Sequence, residues 1–375
     1  MRSKIGRRTF IGSVGAAAGT AVLVDPFGNR EAEAAPSNVY SGHHANLVTG
    51  STPSTVQDDW VQAALDACVK AMTGKSSVGA AWEAIFSGVK TSSKVAIKIN
   101  CLKKEVSPQL ATIKALVKGM TQMLGGAFPA KNISLFDNTM PFSGLSGSNR
   151  MAAVYGSSNL SALGITFADP SPQYASSTFL VRGKAYHPAT YLDQADFGIG
   201  LVPLKPHQYY GGGISGVIKN MMGSCSTSTG SYAGGSIFHD GSPYQSFTDA
   251  FKNYMKANLH LYVADMLFAA KTENASGWSK LVKRITVSKD PCAMDAYFAD
   301  VLNSVGLSGT KAVPQALASA GIGNASYNLV EPTVTLGGTP TAPTRDVLDQ
   351  KVRDHRSGKA QDSDVKALIK QYRGE

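Results

Sequence analysis

The sequence predicts an α/β fold: a mixed, mostly parallel sheet flanked by helices, with a Gly/Ser-rich lid loop. Apolar runs that end in polar residues, "SKVAIKIN" (Ser93–Asn100) and "NISLFDN" (Asn132–Asn138), read as buried strands. An amphipathic helix stands between them at the spacing of a βαβ unit, which requires parallel strands and a right-handed crossover. The 375 residues are 43% hydrophobic and only 17% charged, enough to bury a large core and unlike a disordered chain.

The elements follow in order. Residues 36–55 read as an extended, polar lead-in. From Val56 onward, Trp60, Val61, Ala64, Leu65, Cys68, Val69 and Met72 recur at helical spacing. After the first strand, Ser107 can cap a helix with Pro108 at its first position; Leu110, Ile113, Leu116, Val117 and Met120 form its apolar face. "GITFADP" and "DFGIGLVPL" continue the strand series, and "LHLYVADMLF" and "RITVSKD" add two later strands. "DPCAMDAYFADVL" opens a helix with Asp290 as cap and Pro291 first. The segment Gly223–Gln245 has little periodicity, and a loop of that length in a compact domain suits a lid. Residues 35–330 are thus one α/β domain, and 331–375 a charged, partly helical C-terminal extension.

The first 34 residues read differently. "RRTFIG" (Arg7–Gly12) precedes a weakly apolar Gly/Ala run to Val24, and Ala32-x-Ala34 supplies a cleavage pattern. This resembles a twin-arginine signal peptide over residues 1–34. The run is too short to span a bilayer, which needs about 20 apolar residues. The mature protein is therefore expected in the periplasm or secreted, exported folded by the twin-arginine translocase, with no stable membrane anchor after cleavage. Export in the folded state suits a protein that carries a prosthetic group.

The formal charge is +10, and the segment 1–34 holds five of the bases and three of the acids. The remaining excess suits a small anionic ligand. The lysines lack a dense basic run with interleaved aromatics, so nucleic-acid binding is not expected.

Parallel sheets bind ligands beyond the carboxyl ends of their strands. The polar residues that close the strands are Lys98 and Asn100, Asp137 and Asn138, Lys205 and His207, Asp265, and Asp290. Each taken singly suits a turn or a solvated surface; their convergence on one rim is the functional reading. "LKPHQYYGGGISGVIKN" (Leu204–Asn220) is the densest stretch. Gly211, Gly213 and Gly216 match G-x-G-x-x-G, yet six residues separate them from the strand and no acidic residue follows at the dinucleotide spacing. Gly211, Gly212 and Gly213 before a helix would instead let backbone approach an anion, with Lys219 and Asn220 one turn in. Lys205 and Lys219 side by side would lower each other's basicity. His239 lies in the lid and can close over the site. Asp295, on an apolar helix face, needs a cationic partner such as Lys98, Lys205 or Lys219.

The four cysteines, at 68, 101, 225 and 292, show no C-x-x-C and thus no iron–sulfur or zinc spacing. Cys68 falls on the apolar helix face. Cys101, Cys225 and Cys292 neighbour the expected rim, as buried thiols, a disulfide pair or metal ligands; Asp265, Cys225 and Cys101 are the candidate metal set.

"KVAIKINCL", "FDNT", "ADFGIGLVPLKPHQYYGGGISGVIKNMMG", "FHDG", "VADML" and "VSKDPCAMDAYFADVL" resemble, in order, the blocks of the domain-of-unknown-function 362 family. The resemblance spans roughly residues 90–305 and implies an α/β domain, in some relatives joined to an iron–sulfur ferredoxin module whose cysteine pattern is absent here. Lys98, Asn100, Asp137, Asn220, His239 and Gly211–Gly213 are the expected ligand-binding residues, and His207, Lys205, Lys219 and Asp295 the catalytic ones. The expected function is an exported enzyme for an anionic substrate or cofactor, dependent on a metal ion or linked to an iron–sulfur redox partner. Two other readings are a racemase or isomerase that moves a proton between opposed Lys and His groups, and a non-catalytic periplasmic binding or accessory protein, which keeps the cradle but does not need Asp295 or His207.

Overall fold

The computed structural model describes residues 35–101, 103–138, 150–168, 173–207, 213–230, 232–239 and 243–336, with 352 and 365–366. Residues 1–34, where a signal peptide is expected, Gly211, Gly212 and most of residues 331–375 lie outside the described residues.

Eleven strands can be followed: β1 (Ser37–His43), β2 (Val95–Ile99), β3 (Ile133–Phe136), β4 (Thr166–Phe167), β5 (Phe179–Val181), β6 (Lys184–Pro188), β7 (Phe197–Leu204), β8 (Cys225–Ser226), β9 (Leu261–Ala270), β10 (Trp278–Ser288) and β11 (Tyr327–Val330). Eight of them form one sheet in the order β11-β1-β10-β9-β7-β2-β3-β4, and β5-β6-β8 form a small second sheet. β9, β7, β2, β3 and β4 run parallel, β1 runs parallel to β11, and β10 is antiparallel to both β9 and β1. The sheet is mixed and mostly parallel, as expected. Every residue of β2, β7 and β9 is buried, which is why these strands are apolar runs interrupted only by Lys98 and Asp265.

Helices cover both faces. On one face α1 (Asp58–Thr73), α2 (Val78–Ile85) and α3 (Leu110–Met120) pack over Ile97, Ile99, Ile199 and Leu201. On the other face the Val217–Asn220 and Pro291–Ser304 helices pack over Ala96, Val202 and Leu204. β2 leads through α3 to β3 on one side, while β7 lies against β2 on the other. Strand order therefore reverses between β2 and β7. Their carboxyl ends diverge there, the place where open α/β sheets hold ligands.

Four local expectations change. The lead-in contains β1, which a polar sequence hides because it is held between β10 and β11. Ser107 does not cap α3: its hydroxyl donates to the Lys103 carbonyl, and Gln109 occupies the cap position. The Gly223–Gln245 segment is not a structureless lid, because its described part includes β8, a 3-10 turn at Gly235–Phe238 and the start of the Pro243–Ala250 helix. Asp290 does cap its helix, accepting from the Cys292 and Ala293 amides at 2.8 and 3.2 Å. It sits away from the rim, because β10 is antiparallel and Ser288 pairs with Tyr262 at the start of β9.

Candidate functional site

The rim is built from strand ends. Lys98, on β2, pairs in register with Phe136 of β3 and Gly200 of β7. Its ammonium is buried and donates to Asp137 Oδ1 at 2.7 Å, Asn220 Oδ1 at 2.8 Å and the Ile99 carbonyl at 2.7 Å. Asp137 Oδ1 also accepts from the Asn138 amide and Oδ2 from the Cys101 amide, both at 2.8 Å. The β2 and β3 ends are thereby tied together. Asn220 Nδ2 returns to the Lys98 and Leu201 carbonyls at 3.1 and 3.4 Å, fastening the short Val217–Asn220 helix across β2 and β7.

Lys205 follows β7 and reaches the Val106 carbonyl at 3.3 Å from a buried position. Burial pushes its ammonium down to about 8, with Lys98 adding to the fall and Asp137, Cys101 and Glu273 opposing it. Lys219 falls further, to about 7, again through burial first; Glu273 opposes, while Lys205 and Lys98 add to the fall. Lys98, Lys205 and Lys219 thus lie within one electrostatic neighbourhood. Of the mutual lowering expected between Lys205 and Lys219, the action of Lys205 on Lys219 is present, with desolvation the larger cause.

The chain turns back after Lys205, with the Ser215 amide on the Lys205 carbonyl at 3.0 Å and the His207 amide on the Gly213 carbonyl at 2.8 Å. His207 is buried and stacks on His239, centroids 5.8 Å apart at 20°. His239 is therefore beside the site. Burial and then Lys219 push its imidazole down to about 4, so it is neutral at pH 7.

Asp295 and Asp265 behave differently from expectation. Among the described residues Asp295 pairs with no lysine: its carboxylate accepts from the Val217 and Ile218 amides at 2.7 and 3.1 Å, and caps the helix that carries Lys219 and Asn220. Burial still raises it to about 7, the two amide bonds opposing. This carboxylate takes the helix amides expected to meet an anion behind Gly211–Gly213. Asp265 performs the same task for α3, accepting from the Gln109 amide at 2.6 Å and the Thr112 hydroxyl at 2.8 Å, and also from the Leu267 amide at 3.2 Å. Burial raises it to about 6 against those bonds.

The expected metal set does not assemble. Among the described residues no group of three or more His, Cys, Asp or Glu side chains could hold a metal ion. All four cysteines are buried and none is in a disulfide. Burial pushes Cys68 up to about 12 and raises Cys225 and Cys292 as well. Cys292 lies with Asp290 away from the rim. An iron–sulfur cluster does not fit this arrangement.

Two residues of the site were not anticipated. Glu273, between β9 and β10, is 4% exposed and acts on both Lys205 and Lys219. It stands in the polar run "KTEN", which reads as a solvated turn. Tyr174 carries a buried hydroxyl without a hydrogen bond, and Cys225, Tyr232 and Asp137 are its charged or ionisable neighbours.

Residues 95–300, more than half of the chain, match the family described as a domain of unknown function, DUF362. The chain belongs to the DUF362 family. The DUF362 match begins at β2 and ends within the Pro291–Ser304 helix, so it contains every rim residue named above. Among solved structures, the lactate racemase apoprotein from Thermoanaerobacterium thermosaccharolyticum is similar at 14% identity and a TM-score of 0.42, covering 72% of this chain and 57% of that one. This DUF362 chain thus spans less than two thirds of that protein's length. No curated protein matches it.

Gly216 allows the Asp295 cap. A Cβ there would run into the Asp295 carboxylate. Gly216→Ala is expected to lower stability by about 1–3 kcal/mol, as overpacking does, measured by denaturant unfolding. Gly223 similarly leaves room for Lys98, since its Cβ would lie 3.2 Å from the ammonium nitrogen.

Proposed function

We propose that this chain is an exported enzyme that binds a small organic anion where β2, β3 and β7 end and moves a proton on it. The observation that carries the reading is a gathering of the buried Lys98 and Lys205 and the half-buried Lys219 with two buried carboxylates, Asp137 and Glu273. A bound anion would balance the remaining positive charge, which burial otherwise makes costly.

The roles divide by environment. Lys98 is held by Asp137 and Asn220 and supplies fixed positive field. Lys205 pairs with the anionic group. Lys219, part amine at neutral pH, takes a proton from the carbon beside that group. The C–H electron pair then passes into the adjacent anionic group as an enolate-like charge, which Lys205 stabilises. His207 is the group placed to return a proton, completing an isomerase-type exchange. Asp265 and Asp295 have no direct part, because both carboxylates are committed to helix ends.

The test uses calorimetric titration with acetate and glycolate, followed by incubation of the protein with each in D2O and mass analysis of the recovered ligand. Binding with deuterium uptake that Lys219→Met abolishes is the expected result. Binding without uptake would reduce the chain to a binding protein, and no binding would remove the anion reading itself. Export is tested separately: Arg7→Lys/Arg8→Lys should strand the protein in the cytoplasm on fractionation of its host.

A further inference from the structure

The amide oxygen Oδ1 of Asn100 is buried and accepts no hydrogen bond. Such atoms are uncommon in folded proteins, and each calls for a reason. Trp82 Nε1 and the Tyr174 hydroxyl are unpaired as well, and Trp82 Nε1 packs against Gly119 of α3. Asn100 is placed otherwise. Its own amide donates to the Leu201 carbonyl at 3.1 Å, so the β2–β7 ladder continues one residue past β2. Strand alternation then puts Asn100 on the same face as Lys98. The unpaired acceptor therefore lies on the sheet face from which Lys98 reaches Asn220.

We infer that the site takes hydroxylated organic anions, with Asn100 Oδ1 accepting a hydrogen bond from a ligand hydroxyl next to the anionic group. This rests on the anion reading given above. The lysines supply donors and positive charge but no acceptor, so a carboxylate or phosphonate alone would leave Oδ1 unpaired. A ligand hydroxyl pairs it. A ligand ammonium would also donate, but three neighbouring lysines repel it. A site built to bond a hydroxyl rejects the analogue without one strongly, because its own polar group is then left unpaired. Asn100 is accordingly a specificity-determining residue.

Four probes test this by calorimetric titration at one pH: acetate, glycolate, methylphosphonate and hydroxymethylphosphonate. In the wild-type protein the hydroxylated member of at least one pair is expected to bind at least about tenfold more tightly than its partner. The pair that binds identifies the anionic group as carboxylate or phosphonate. Asn100→Ala should erase the preference, bringing the hydroxylated probe to the level of the plain one. Equal affinities within each binding pair in the wild-type protein would overturn the inference while leaving the anion reading intact. A preference that survives in Asn100→Ala would also overturn it. If none of the four probes binds, both fall together. The wild-type comparison decides the matter even where the variant does not fold.

Discussion

Asp137→Ala is expected to lower stability by about 3–5 kcal/mol, the usual cost of stripping one partner from a buried ion pair. Three groups depend on that carboxylate: the Lys98 ammonium and the backbone amides of Cys101 and Asn138. All three lie in the buried rim, so water cannot replace what is lost. Against the 5–15 kcal/mol typical of a folded domain, such a loss leaves a large unfolded fraction. Denaturant melts of Asp137→Ala, Lys98→Met and the double variant Asp137→Leu/Lys98→Met measure it. The double variant should be more stable than Asp137→Ala, because it no longer buries an unpaired ammonium. If the double variant lost the sum of the two single losses, the carboxylate and ammonium would not be coupled, and the view of Lys98 as a fixed charge would fail.

The parts of the fold legible in the sequence are those whose burial is two-sided. β2, β7 and β9 lie between helical layers, so nearly every position is apolar, Lys98 and Asp265 being the charged exceptions, and the run is visible without alternation. Once they are known to be parallel, Lys98, Asp137, Lys205 and His207 follow as a set, since each stands at a strand's carboxyl end. β1 and β11 escape notice because their neighbours, not their composition, make them strands: "SNVYSGH" is polar, and its pairing partners lie more than two hundred residues away. β5 and β6 are short and form a separate hairpin over the second layer.

The same distinction separates the carboxylates. Asp290 caps the helix that it immediately precedes, a local arrangement that sequence spacing reveals. Asp265 and Asp295 cap helices 156 and 78 residues away, and nothing near either residue signals the partner. A buried aspartate whose partner is distant therefore reads as catalytic, as Asp295 does, or as a metal ligand, as Asp265 does. Here each fixes a helix on one side of the crevice: α3 by Asp265, and the helix carrying Lys219 and Asn220 by Asp295. Glu273 escapes for the opposite reason, since a turn-like sequence is folded inward against two lysines. The placement of side chains is legible where strand ends dictate it, and illegible where tertiary packing chooses the partner.

The pH dependence of the proposed proton transfer is the second large effect. Lys219 must be the free amine to accept a proton, and burial holds it down to about 7. Lys205 must be the ammonium to hold the anion, and it loses that charge above about 8. Deuterium exchange per unit of enzyme and ligand should therefore rise through pH 7, peak between the two values and fall beyond 8. The two lysines repel each other, so the limbs belong to the pair rather than to either residue alone. Lys219→Met should lower the exchange rate about 10²–10⁴-fold. Lys219→Arg makes the sharper comparison, because a guanidinium keeps its charge and cannot give up its proton in this range. It should depress exchange far more than anion affinity. An exchange rate that Lys219→Arg leaves within a few-fold of wild type, or one flat from pH 6 to 9, would show that Lys219 is only an anion holder and that the proton goes elsewhere.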